Sequence, residues 1–426
     1  MSVKKRIEAL AGDQQSFDAY ADSVRGAKLT ELAVDVGRTC SLRCMGMCYR
    51  ADRSRPTRTD EYVSMEVLAH EIRVAETEGL TNLTIAGTEP FLHLDHDTES
   101  SGLATRRTFE ILEALGAMPR GYRLGIVSNG LGIHRHWDAL AALAQKGAFD
   151  YIDLSIDSGD VPAHDRIRGR KGAGMAVLAA LREANQRLNG VRIGTSSVLR
   201  QDNAKGVLQL IQEQAGCNRH YFVTPIQPLS LGKGVQPTSL AIVHQFVCDL
   251  TQMFGESTLH GRRIEVTLLI TGLYIHDLIM GGVFTWDEVE DIGGHLSVTR
   301  MIGGNTLRIE LSILPSYGLT LGLLEFTGDY LPHAHALQIP HEQRKEWVAG
   351  NITHEPLRTL HERGKRGVIQ RMIRARTDHA CRREPCWNTC FGGMAFNMED
   401  AALRQRPLTE KPTACLRGEA RRLMIV

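Results

Sequence analysis

An α/β fold, built as a partial (β/α)6 TIM-like barrel with a smaller C-terminal α+β domain, is what this sequence predicts. Three observations carry the expectation. Between residues 30 and 235 short apolar runs alternate with amphipathic helical periods. After that the rhythm gives way to Gly-rich, β-branched segments. Seven of the nine cysteines fall into two tight groups. Short strands separated by helices are the signature of a parallel sheet with right-handed crossovers. Six such units with helices on one side point to a closed or partly closed barrel. An open doubly wound sheet competes, and periodicity does not separate the two.

In order, LAVDV (32–36) reads as the first strand and SMEVLAHEIRVAETEG as an amphipathic helix opened by a Ser. LTIAG (83–87) is the second strand, TRRTFEILEALG a helix and RLGIVSNG the third strand. HWDALAALAQKG is a helix and YIDLSID the fourth strand. GMAVLAALREANQRL is a helix and VRIGTSSVL the fifth strand. NAKGVLQLIQEQAG is a helix and HYFVTPIQP the sixth strand. Beyond 235, SLAIVHQFVCDLTQMFG predicts a helix and RIEVTLLIT one more strand. The stretch 293–330, with GGN as a turn, predicts antiparallel hairpins. HEQRKEWVAG and EPLRTLHERGKRGVIQRMIRAR predict helices. The expected division is a helical N-terminal extension (1–29), a barrel core (30–285) and a C-terminal domain (286–426).

The chain has 426 residues, 42% of them hydrophobic and 23% charged, with a formal net charge of +1. No global field recruits nucleic acid or an anionic membrane. The N-terminus lacks the apolar stretch of a secretory signal, and no run reaches bilayer length, so the cytoplasm is the expected location. Clustered thiols in a long chain point to metal rather than to a disulfide framework. Cys217 and Cys248 stand alone and are expected to be core residues.

Cys40, Cys44 and Cys48 fall within TCSLRCMGMCYR, directly after the first strand. Structural zinc wants four ligands, usually from two close pairs. Here one loop offers three, at the carboxyl end of a barrel strand where βα loops build active sites. A cubane iron–sulfur cluster takes four ligands, so three thiolates leave one iron open, and an open position marks a reacting metal site.

This loop resembles that of the radical S-adenosylmethionine (SAM) enzymes. The family pattern is Cys-x3-Cys-x2-Cys; this chain departs from it by one residue, as Cys40-x3-Cys44-x3-Cys48, with Met47 where an aromatic usually stands and Tyr49 following. Other stretches match in order. Gly87-Thr88-Glu89-Pro90 resembles the family's GGEP segment, whose backbone receives the SAM ammonium. Ser128-Asn129-Gly130 resembles the TNG that closes the third strand. DLSIDSGDVPAHDRIRG resembles the fourth-strand segment, with Ser155, Asp157, His164-Asp165 and Arg168-Gly169 at the family's spacing. Ser196, Ser197 and TPIQPLSLGKG occupy the fifth and sixth strand ends. The resemblance covers about residues 30–235. It implies a [4Fe–4S] cluster on Cys40, Cys44 and Cys48 whose open iron chelates SAM. Tyr49, Gly87, Thr88, Glu89, Ser128, Asn129, Ser155, Asp157, Arg168 and Ser197 would contact SAM. Reduction by a flavodoxin- or ferredoxin-type donor would release a 5′-deoxyadenosyl radical.

The second group is Cys381, Cys386 and Cys390, with Cys415 further on. Four thiolates fit one closed cubane or one zinc equally well on ligand count. The run Cys-Trp-x2-Cys-x-Gly-Gly resembles the C-terminal extension of radical SAM enzymes with auxiliary clusters, the SPASM and twitch domains. That resemblance implies one auxiliary [4Fe–4S] cluster on these four cysteines, with Trp387 packing against it.

The x3/x3 spacing with a single C-terminal cluster most resembles the radical SAM dehydratases of aminoglycoside biosynthesis. The implied substrate is a paromamine-type amino sugar. Hydrogen leaves C4′ and the C3′ hydroxyl leaves as water. One electron and one proton then give a 4′-keto, 3′-deoxy product for a separate NAD(P)H-dependent reductase. A polycationic sugar needs carboxylates at the barrel mouth. Asp95 and Asp97 in HLDHD are weak candidates, and TWDEVED is another acidic stretch; His333, His335 and His341 are weak candidates for a proton donor. Two readings compete. One is a peptide-modifying radical SAM maturase, which usually carries a leader-binding domain that residues 1–29 are too few to form. The other is a non-catalytic zinc or iron–sulfur protein with four ligands at both sites.

Overall fold

The computed structural model describes residues 2–44, 58–92, 99–116, 118–226, 237–292, 295–314, 316, 318–332, 336–337, 339, 344–377, 379–391, 401, 407–410 and 415. Its strands are β1 (Glu31–Val34), β2 (Asn82–Ile85), β3 (Arg123–Ser128), β4 (Tyr151–Ser155), β5 (Arg192–Leu199), β6 (His220–Pro225), β7 (Glu265–Thr271), β8 (Glu290–Ile292), β9 (His295–Ile302), β10 (Asn305–Ser312), β11 (Leu321–Leu324), β12 (Asp329–Leu331) and β13 (Gly350–Asn351). All belong to one sheet of order β13-β12-β11-β1-β2-β3-β4-β5-β6-β7-β10-β9-β8. The sequential run β1 to β6 decides against the doubly wound alternative, whose strand order reverses at a switch point. Among the described residues no pairing joins the two ends of the sheet, so this is an open, partial barrel.

The parallel run reaches beyond six strands. β7 pairs parallel with β6, β10 with β7, and β11 with β1. Segments after residue 285 thus flank the barrel on both sides. The expected hairpin is β9–β10, turning at Gly303-Gly304.

The predicted helices form at Met65–Glu78, Glu99–Gly116, Trp137–Gln145, Ala173–Arg187, Ala204–Gln214, Leu240–Gly255 and Leu357–Thr377. Ser64 caps the first of these, accepting from Val67 N at 3.2 Å, which satisfies one orphan helical donor. The N-terminal extension is two helices, Val3–Gly12 and Gln14–Arg25. Two outcomes differ from expectation. HEQRKEWVAG holds only a short 3-10 turn, Lys345–Trp347, among its described residues. The apolar run after β7 turns into a helix, Gly272–Met280, that periodicity did not separate from the strand.

Burial alternates along β1, β2 and β6, one residue buried and the next half-buried. Leu32, Val34, Leu83, Ile85, Leu124, Ile126, Ile152, Leu154 and Val223 pack into the core. Residues of the other pleat face the barrel lumen: Thr84, Gly125, Tyr151 and Arg192 stand in one register row, and Ser155, Ser196 and Phe222 in another. Side chains alternate between the two sides of a sheet, so this half-open pleat makes the lumen polar. No described helix is long and apolar enough to cross a membrane.

Candidate active site at the strand ends

All of β1 to β6 run the same way, so their carboxyl ends meet at one mouth. β1 leads into Asp35, whose carboxylate turns toward the end of β2. Oδ1 accepts from Thr88 N (3.2 Å) and Thr88 Oγ1 (3.3 Å), and Thr88 Oγ1 also donates to Gly37 O (2.7 Å). Gly87 has φ +117°, and a Cβ there would overlap the Asp35 carboxylate; only glycine meets both demands. Sequence reasoning missed Asp35, although a lone acid inside the apolar run LAVDV was a readable signal. Arg38 anchors the loop further on: it pairs with Glu61 at 2.8 Å and lies 4.8 Å from the Phe326 ring centre.

Glu89, expected at the SAM site, is buried and turned inward. Its oxygens accept from Phe91 N (3.0 Å), Ser128 Oγ (2.6 Å) and Asn129 N (2.7 Å). It thereby bolts the end of β2 to the end of β3. Burial pushes its carboxyl above the usual range, against the pull of these donors. Ser128 is occupied by Glu89, whereas the Asn129 side chain reaches the cysteine loop, its Nδ2 standing 3.8 Å from Cys40 Sγ.

The segment after β4 grips the same loop. Asp157 is fully buried; Oδ1 accepts from Val198 N (2.9 Å) and Oδ2 stands 2.6 Å from Arg168 Nε. Asn203, another residue sequence reasoning missed, donates to Asp157 O and Val198 O, each at 2.8 Å. His164, on the helix Val161–Arg168, accepts from Asp157 N at 3.2 Å, and burial lowers its pKa to about 4. It is a neutral prop rather than a solvated loop residue. Burial opposes the charge of Arg168, but Asp157 and Cys44, to which Arg168 also hydrogen-bonds, raise its pKa above the ordinary value. Arg43 N donates to Arg168 O (3.1 Å) and Arg170 Nη1 to Ser41 O (3.3 Å). Gly169 has φ +66°, and a Cβ there would overlap Arg43 O.

The two expected serine contacts divide. Ser155 faces the lumen beside Ser196. Ser197 lies on the buried pleat and donates to Ile156 O. Ser196 therefore takes the lumen position at the end of β5, a distinction set by the pleat and not by the motif. Cys48, Tyr49, Asp95, Asp97, His333 and His335 lie outside the described residues, as does His341.

The donor set suits thiolate ligands of a positive iron cluster: Cys40 and Cys44 are half-buried, one beside an amide donor and the other beside a half-buried cation. Charge-assisted and neutral donors to sulfur both favour the ionised form.

At the second group, Cys381 and Cys390 are buried, and Cys386 and Cys415 are half-buried. Burial pushes the Cys386 thiol up to about 11, with the neighbouring charges of Cys415, Cys381 and Asp277 adding to it. These residues share one neighbourhood. Among the described residues, no three or more His, Cys, Asp or Glu side chains are grouped so as to hold a metal ion. Trp387 packs 5.4 Å from the His379 ring and 5.9 Å from Phe391, and its Nε1 donates to Ala11 O at 3.1 Å. Cys248 is a correction: it is exposed, because the helix Leu240–Gly255 buries Val243, Phe246, Val247 and Leu250 instead. Cys217 is half-buried.

Residues 34–212 match the sequence model of the Radical SAM superfamily. Proteins of this family use a [4Fe–4S] cluster and S-adenosylmethionine. Among solved structures, the chain is similar to SuiB of Streptococcus suis bound to its precursor peptide SuiA, at 13% identity and TM-score 0.62, covering 94% of this chain and 80% of that one. It is also similar to polyhistidine-tagged anSMEcpe with bound AdoMet, at 16% identity and TM-score 0.60, covering 93% and 98%. At such identities the likeness establishes the fold. A search of curated proteins gives no significant match. Asn129 and Arg168, which meet the cysteine loop, come from two separate βα connections, so the barrel takes part in holding that loop.

Proposed function

We propose that the chain is a radical SAM dehydratase acting on a paromamine-type amino sugar, with hydrogen leaving C4′ and the C3′ hydroxyl leaving as water. The observation that carries this reading is the polar lumen below the mouth. Its pleat holds Thr84, Tyr151, Asp153, Ser155, Ser196, Thr224, Glu265 and Glu310 along successive strands. Asp153 pairs with Arg192 at 3.0 Å and Glu265 with His220 at 3.4 Å toward the amino ends of the strands, while Ser155, Ser196 and Thr224 stand nearer the mouth. Hydroxyls and carboxylates on a concave wall suit a polyhydroxylated polycation. The Cys-x3-Cys-x3-Cys spacing and a C-terminal group of four cysteines support the same reading.

In this reading Cys40, Cys44 and Cys48 hold the reactive cluster, and Cys381, Cys386, Cys390 and Cys415 hold one auxiliary cluster within a C-terminal domain spanning 286–426. When bound, the cluster and SAM supply a 5′-deoxyadenosyl radical that takes a hydrogen atom from a substrate carbon. Thr88, Asn129, Ser155 and Ser196 orient SAM at the mouth, while Asp157 and Glu89 hold those strand ends in register. The reaction draws an electron from a flavodoxin- or ferredoxin-type donor, and its keto product passes to a separate NAD(P)H-dependent reductase. The test is anaerobic incubation of the iron-loaded protein with SAM, a reductant and a panel of aminoglycoside precursors, read by mass spectrometry. Loss of one water from an amino sugar supports the proposal. Formation of 5′-deoxyadenosine without any change in an amino sugar overturns the dehydratase reading.

A second reading, peptide modification, draws support from the fold likeness to SuiB and anSMEcpe. It requires a mass change on a peptide in the same assay and none on sugars.

A further inference from the structure

We propose that Arg168 is a positioning residue for Cys44: its half-buried guanidinium, anchored by Asp157, donates to the Cys44 sulfur and makes the cluster held by that loop easier to reduce. The inference rests on the radical SAM reading of the loop and adds to Arg168 a role distinct from the SAM contact that the family resemblance implies.

A donor stands at Cys40 and another at Cys44, and the two differ in kind. Cys40 meets the neutral amide of Asn129 at 3.8 Å. Cys44 meets Arg168, whose Nε stands 2.6 Å from Asp157 Oδ2. The backbone leaves the guanidinium little freedom. Arg168 O accepts from Arg43 N, Ile167 packs against Cys44, and Asp157 is fixed by Val198 N. Once Cys44 ligates iron as a thiolate, one cation is shared between two anions, that sulfur and the Asp157 carboxylate. Isolated, the Arg–Asp pair is neutral; beside a thiolate, the balance depends on which partner is removed. Reduction adds an electron to the cluster. Hydrogen bonds to the sulfurs and nearby net charge set how favourable that is.

The two single substitutions must then act with opposite signs. Arg168→Met removes the cation and leaves two anions; Asp157→Asn keeps the shape and leaves the cation facing the thiolate alone. The protein is loaded anaerobically with iron and sulfide, without SAM, and titrated electrochemically, with the reduced cluster read by electron paramagnetic resonance. At a fixed potential, Arg168→Met is expected to lower the reduced-to-oxidised ratio about tenfold, equal to about 59 mV for one electron. Asp157→Asn is expected to raise it by a similar factor. Arg168→Lys should recover most of the loss, and the neutral double variant Asp157→Asn/Arg168→Met should lie near the wild type, with circular dichroism checking the fold of each. A purely structural pair predicts something else: iron is lost in both single variants, and whatever cluster remains titrates as in the wild type. That outcome, or shifts of the same sign in both variants, overturns the proposal. A wild-type protein that assembles no cluster on this loop overturns the underlying reading, and the iron and sulfide content tells the two failures apart.

Discussion

Cys44 sits against a guanidinium at the mouth of the barrel, whereas Cys386 lies near Cys415 and Cys381, next in the chain to Trp387, whose ring packs on His379 and Phe391. The first group hangs from strand ends and meets polar donors, Asn129 and Arg168. The second is braced by helices: Trp387 bonds to Ala11 O, and Arg376 donates to Leu10 O and Ala11 O at 3.3–3.4 Å. At the second group, Trp387 and Arg376 bond to the N-terminal helices, at Leu10 O, Ala11 O and the Gln14 side chain. Burial alone raises the cost of a thiolate, while a donor or cation lowers it. The contrast teaches that clustered cysteines in one chain can sit in different settings, one group beside an amide and a guanidinium, the other beside a tryptophan anchored to the N-terminal helix.

The sharpest way to break this comparison is to remove one thiol from each group. Cys40→Ser should abolish 5′-deoxyadenosine formation, while Cys386→Ser should lower the iron content yet leave SAM cleavage measurable; equal loss of SAM cleavage in both would erase the distinction. Next in size is Trp387→Ala. Deleting a large buried ring typically costs about 3–5 kcal/mol, so thermal unfolding should shift strongly, with iron lost from the second group before the first.

Acid should act on the first group. His164 has its pKa pushed down to about 4 in the folded chain, against about 6.5 when unfolded. Between those values the unfolded chain binds more protons, so the contribution is complete above about 6.5 and is lost as the pH falls toward 4. At about 1.36 kcal/mol per unit, this reaches roughly 3 kcal/mol. Melting curves from pH 7 to 4 should show it, and His164→Asn should flatten the slope. Glu89→Gln places an amide donor among three donors and should cost about 1–3 kcal/mol, with iron retention at the first group falling by about 10–100-fold. Smallest is Cys248→Ala, an exposed change expected within about 0.5 kcal/mol and without effect on iron content.

Local periodicity made most of the barrel readable. The strand and helix runs from LAVDV to HYFVTPIQP formed as expected, and Ser64 caps as its position suggested. The motifs at the ends of β2, β3 and β4 were readable too, because short polar segments after apolar runs stand out. What each side chain does there was not. Glu89 and Ser197 turn inward, and only the pleat and the three-dimensional neighbours decide that. Cys248 illustrates the same limit: in a helix with several apolar residues, the buried stripe is chosen by what packs on it. The flanking strands were hidden for a different reason. Pairing of β11 with β1 joins segments that share no local pattern.

That last pairing bears on how the chain is made. Thr30 and Thr320 are 290 positions apart, so one side of β1 has no partner until most of the polypeptide has left the ribosome. At about 5–20 residues per second, the delay is on the order of 15–60 seconds. Throughout it the strand that launches Cys40 presents a bare edge, the kind of surface on which nascent chains stick together, and the loop beyond it is open to whatever delivers iron before the last strands close over the side.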